Sequence, residues 1–117
     1  NESNHEKKPT SGQMVHVVID RPMNTAIGTQ DLFYPVNYGY IEGIIAPDGE
    51  EQDVYVLGID HPVKEFTGKI IAIVHRLNDV EDKWVAVPED MNMTAKEIMA
   101  QVQFQEQYFE TEIEMLE

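Results

Sequence analysis

Five short strand-like runs separated by turns, then one capped helix, predict a mainly β domain, a small barrel or sandwich with a C-terminal helix. Two observations carry this. The runs are rich in Val, Ile and Tyr, with Gly, Pro, Asn and Asp between them. Thr94-Ala95-Lys96-Glu97 is a capping box, in which residues three apart satisfy each other's backbone N–H groups, so a helix starts there.

Residues 1–13 are polar and aperiodic and are expected to form a tail without chemistry; residues 116–117 read as a similar appended end. Residues 14–117 then make one domain. The β-branched run 14–19 (MVHVVI) is the first strand, ended by Asp20-Arg21-Pro22. Residues 23–31 form a loop with Gly28. Residues 33–45 are strand-like but broken by Pro35 and Gly39, which predicts an edge, or a bend where the backbone approaches something closely. Residues 53–58 (DVYVLG) and 69–75 (KIIAIVH) are the strongest strands, and 83–87 follow after a turn at 78–82. In the helix, Ala95, Ile98, Met99, Val102, Phe109 and Ile113 fall near one face at helical spacing, so that face packs on the strands.

At 117 residues the chain has room for one core and no second domain. No apolar run approaches the roughly 18 residues of a membrane span, and no signal-peptide pattern is visible. With no cysteine, disulfides and thiolate metal sites are excluded, which fits the cytoplasm. A net charge of −14 argues against a nucleic-acid partner, whose phosphates need clustered Lys and Arg. The four histidines, His5, His16, His61 and His75, form no metal or triad motif.

Asp48, Glu50 and Asp53 bring three carboxylates into six residues. Oxygen donors without sulfur suit Mg²⁺ or Mn²⁺, and such metals act beside phosphates. The same residues suit a solvated Asp48-Gly49 hairpin turn. A second acidic turn, Asn78-Asp79-Val80-Glu81-Asp82-Lys83, reads on its own as a charged hairpin tip.

Tyr34-Pro35-Val36-Asn37-Tyr38-Gly39-Tyr40-Ile41, followed by Asp48-Gly49-Glu50-Glu51-Gln52-Asp53, resembles the signature of the soluble family I inorganic pyrophosphatases. The likeness covers about residues 18–88, with a weaker echo in the last helix. It implies a closed five-stranded barrel of the oligonucleotide/oligosaccharide-binding type and Mg²⁺-dependent (or Mn²⁺-dependent) hydrolysis of pyrophosphate. It also implies metal ligands Asp48, Glu50, Asp53 and Asp79, with Glu81 or Asp82 as the remaining carboxylate. Glu50 and Asp53 become the catalytic pair, Glu50 as base or water-orienting group. Arg21, Tyr38, Lys83 and Tyr108 become substrate contacts.

Two positions depart from the family pattern: Glu50 stands where an aspartate is usual, and Phe109 where a phosphate-binding lysine is. Upstream of Met14 nothing reproduces the family's Glu/Lys/Glu segment. Weaker substrate affinity is expected, since each charge-assisted bond is worth about 1.5–3 kcal/mol. Arg76 is a candidate replacement contact, and Phe109→Lys a candidate repair. A larger phosphoanhydride as substrate, or a non-catalytic metal- or anion-binding module, are the rival readings. Self-association into a homo-oligomer is left open.

Overall fold

Along β1 (Met14–Arg21), buried Val15, Val17 and Ile19 alternate with more exposed neighbours, the period-2 pattern of a strand with one face on a core. The same parity recurs around a sheet comprising β2 (Asn37–Ile45), β3 (Glu51–Val56), β4 (Glu65–Arg76), β5 (Asp82–Val87) and, after helix α1 (Ala95–Glu106), β6 (Thr111–Met115). This computed structural model describes residues 9, 12–26, 33–46, 49–77 and 82–116. Neighbours run β1-β2-β3-β5-β4, and β4 pairs back with β1, closing a five-stranded barrel; β6 adds a sixth strand alongside β4. All pairings are antiparallel except β3 with β5.

Val17, Ile41, Val54, Val56, Ile70, Trp84 and Ala86 fill the barrel interior. The alternate residues Tyr55, Leu57, Val74, Val85 and Val87 face outward, where Ile98 and Val102 of α1 cover them. Thr94 and Glu97 form the expected capping box, with Thr94 Oγ1 accepting from Glu97 N at 3.1 Å. Val102 is fully buried, so Val102→Ala should cost about 1–3 kcal/mol, read as a lowered urea midpoint with unchanged slope.

The second run is shorter and more central than expected. β2 starts at Asn37, because Pro35 interrupts pairing and Phe33 makes only an isolated bridge with Ala26. It lies between β1 and β3, so it is no edge. The close approach is real: Gly39 faces Ile19 across the ladder, and a Cβ there would overlap the Val18 carbonyl oxygen. Gly39→Ala must push two strands apart and should cost about 3 kcal/mol, the upper end of overpacking, visible as a fall in Tm.

The helix expectation needs correction. α1 ends at Glu106, and Ile113 lies in β6, not on the helix face; Ile98, Val102 and Glu106, four residues apart, make the buried line instead. Residue 116 is also no appended end, since Leu116 N donates to Ile71 O at 2.9 Å. Residues 1–8, 10, 11, 27–32, 47, 48, 78–81 and 117 fall outside the described set. Gly12 N donates to Ile70 O, and Ile70 N to Gln13 O, so these two residues extend the pairing along β4. No described helix is long and apolar enough to cross a membrane.

Candidate functional site

Strand alternation decides which motif residues meet. Tyr38 of β2 pairs in register with Arg21 of β1 and with Tyr55 of β3, and Val54 of β3 lies beside Trp84 of β5. With Val54 and Trp84 turned into the barrel, Asp53 and Lys83 turn outward together. Lys83 Nζ donates to Asp53 Oδ2 at 2.7 Å and lies 5.6 Å from the Tyr38 ring centroid, within cation–π range. The lysine side chain is 5% exposed, so it is a buried ammonium anchored by a carboxylate at the surface. Tyr34 and Tyr38 rings sit 6.3 Å apart, and Arg21 Nη1 donates to Tyr34 Oη at 2.7 Å. Arg21 and Lys83 thus flank a pair of tyrosines on one outer face.

Beside Asp53 opens a cleft of about 340 Å³ lined by Asp20, Tyr40, Glu50, Glu51 and Asp53. It sits at the β2–β3 hairpin, where Ala46 N donates to Glu50 O and Gly49 takes a left-handed φ of 89°. The acidic cleft thus lies beside the hairpin turn expected from the sequence. Asp48, Asp79 and Glu81 lie outside the described residues. Among the described residues, no three His, Asp or Glu side chains are grouped to hold a metal ion.

Other proposed contacts are not gathered here. Asp82 turns to the opposite face from Lys83, where its Oδ2 lies 3.1 Å from His75 Nδ1; His75 Nε2 lies 2.7 Å from Glu114 Oε1. Tyr108 is exposed at the turn after α1 and does not line the cleft. Arg76 does not replace a phosphate contact. It is buried, its Nη2 2.7 Å from Glu106 Oε2, with its guanidinium 3.9 Å from the Phe109 ring centroid. Phe109→Lys would bring a second cation against Arg76, so destabilisation, not repair, is the expected outcome.

Three buried polar residues escaped the sequence reading. Asn37 accepts from Met23 N at 2.9 Å and Val63 N at 3.2 Å and donates to His61 O at 3.0 Å, pinning the turn after Arg21 to a second loop. Gln52 Nε2 donates to Asp82 O at 2.8 Å, tying β3 to β5 beside the Asp53–Lys83 pair. Glu106 takes bonds from Arg76, Tyr55 and Thr111. Of these, Asn37 and Gln52 carried a signal, their places inside the tyrosine and acidic motifs, and Glu106 carried none.

The family model described as inorganic pyrophosphatase matches residues 4–114. An inorganic pyrophosphatase of Campylobacter jejuni is 33% identical over 79 residues, 62% of this chain; the match spans 41% of that relative's length. Solved inorganic pyrophosphatases from Ehrlichia chaffeensis and Coxiella burnetii superpose with TM-scores of 0.67 and 0.66, each at 20% identity. They cover 90% and 92% of this chain and 89% and 88% of theirs. At that identity the likeness speaks for the fold.

Proposed function

Because the chain belongs to the inorganic pyrophosphatase family, we propose that it hydrolyses inorganic pyrophosphate to two phosphates in the cytoplasm, using Mg²⁺ or Mn²⁺. The observation that carries this reading is the juxtaposition of a buried, carboxylate-anchored Lys83 with the acidic cleft that Asp53 also lines. A phosphoanhydride anion needs cations on its oxygens, and a hard metal needs carboxylates next to them. One outer face offers both.

The donor set fits a hard cation: Glu50 and Asp53 present oxygen only, in a cleft open enough for a metal to keep its waters. With Asp48 and Asp79, the remaining ligands by resemblance, they would hold the metal. When bound, Mg²⁺ neutralises phosphate charge and lowers the pKa of a coordinated water. Lys83 is preorganised to receive phosphate oxygens, since Asp53 fixes its Nζ. Arg21 offers a second cation, with Tyr34 holding one arm of its fork. Glu50 is the proposed base that orients the attacking water, and Tyr108 is a further proposed phosphate contact.

Phosphate release from pyrophosphate, with and without Mg²⁺ and beside an Arg21→Gln variant, tests the reading. Metal-dependent release that Arg21→Gln weakens chiefly through KM is the expected result. No metal-stimulated release at any substrate concentration would refute it. Nucleoside triphosphates run in parallel distinguish pyrophosphate from a larger phosphoanhydride.

A further inference from the structure

Arg21 belongs to a chain of hydrogen bonds that runs from β1 to helix α1. Its Nη1 donates to Tyr34 Oη at 2.7 Å. Tyr34 Oη donates in turn to Gln105 Oε1 at 3.5 Å, the longest link. Gln105 Nε2 donates to Tyr55 Oη at 2.9 Å, and Tyr55 Oη donates to Glu106 Oε2 at 2.7 Å. Every bond points the same way, from the Arg21 cation to the Glu106 carboxylate, an arrangement in which each group polarises the next.

Donor arithmetic leaves little freedom. Tyr55 has one hydroxyl proton, and the buried Glu106 carboxylate takes it, so Tyr55 offers only lone pairs to Gln105. That orients the Gln105 amide, nitrogen toward Tyr55 and oxygen toward Tyr34. Tyr34 then directs its proton at Gln105 and a lone pair at Arg21. Packing holds the rings still: Phe104 lies edge-on to both Tyr34 and Tyr55, with centroids 5.3 and 6.2 Å away, and Tyr34 and Tyr55 are themselves buried.

We propose that Gln105 is a positioning residue for the substrate: acting through Tyr34, it sets where the Arg21 guanidinium stands and so couples helix α1 to phosphate affinity. This rests on the reading of Arg21 as a phosphate contact. Tyr34 thereby acquires a role beyond packing, and Glu106 becomes the anchor of the whole relay.

Gln105→Leu removes both amide bonds while keeping volume and helix propensity. With Mg-pyrophosphate, KM should rise about 3- to 10-fold, the worth of one net hydrogen bond, while kcat stays within about twofold. An unchanged KM overturns the proposal. Side-chain ¹⁵N spectra supply a readout independent of turnover, with the Arg21 signal assigned by its loss in Arg21→Lys. Tyr34→Phe and Gln105→Leu should both shift and broaden that signal. A signal moved by Tyr34→Phe but not by Gln105→Leu overturns the relay. So does a lowered Tm with both readouts unmoved, the mark of a purely structural glutamine. If the wild-type protein releases no phosphate, the pyrophosphatase reading falls, and the Arg21 spectrum alone decides the relay.

Discussion

Asp53→Asn should lower metal-stimulated phosphate release by at least about 100-fold and lower Tm as well, because one carboxylate serves two partners. It lines the acidic cleft, and it accepts the bond that fixes Lys83 Nζ. Losing a charge-assisted bond costs about 1.5–3 kcal/mol, which is roughly 10- to 100-fold in rate; the loss of a proposed metal ligand adds to it. The stability effect arises separately. Lys83 is almost fully buried, and Asp53→Asn takes away the negative charge that Asp53 sets against its ammonium. Lys83→Met, by contrast, removes the cation and keeps the volume, so activity should fall while Tm holds or rises. Phosphate release and thermal melts on the two single variants and the double variant check both halves. If Asp53→Asn retains full activity, Asp53 is no part of the site.

Glu106→Gln should cost about 3–5 kcal/mol at neutral pH, the usual consequence of breaking a buried ion pair by removing one partner. Glu106 and Arg76 side chains are 0% and 6% exposed, and the variant removes the carboxylate charge that faces the buried guanidinium. The same pair sets an acid limit. Burial alone would raise the Glu106 carboxyl, but hydrogen bonds from Arg76 and Tyr55, the Arg76 charge and Thr111 outweigh it and hold the group below the ordinary glutamate range. A carboxylate depressed in the folded state contributes stability above its unfolded pKa, about 4.3, and that contribution is lost as pH falls through the lower folded value. Wild-type stability should therefore drop below about pH 4, whereas Glu106→Gln, already missing the contribution, should show a flatter profile. Urea titrations at pH 7 and pH 3 measure both; parallel pH profiles would remove Glu106 as the titrating group.

The strands were legible because a barrel wall writes its alternation directly into residues such as Val15-His16-Val17. The helix start was legible for the same local reason, since Thr94 and Glu97 satisfy each other within one turn. Its end was not. Phe109 and Ile113 continue the helical spacing, yet the chain leaves the helix at Gln107 and runs on into β6, whose partner strand β4 lies about forty residues away. A signal for β6 was present in Thr111-Glu112-Ile113-Glu114-Met115, which alternates at period 2 with β-branched residues at 111 and 113. At the candidate site, Arg21, Tyr38 and Lys83 were named through the resemblance and Asp53 through spacing as well, and strand register brings these four to one face. Asn37, Gln52 and Gln105 were not, because their partners are distant in sequence or lie in backbone groups that carry no sequence identity. The turning away of Asp82 follows from parity with Trp84, a constraint visible only once β5 has a fixed inner face.

Strand β4 has neighbours along nearly its whole length: β5 on one flank, and on the other β1 at Glu65–Lys69 and β6 at Ala72–Arg76. From Lys69 to His75 it is flanked on both sides, whereas among the described residues the outer flank of β6 has no partner strand in the sheet. In terms of native-state breathing, β4 is the spine from which everything else detaches first. Local opening of β6 frees one side of residues 72–76 but leaves the β5 ladder intact. Amide deuteration should therefore reach Ala72 and Val74, whose N–H groups alternate with those turned to β6 and so point at β5, only through global unfolding, long after it has reached Glu112 and Glu114.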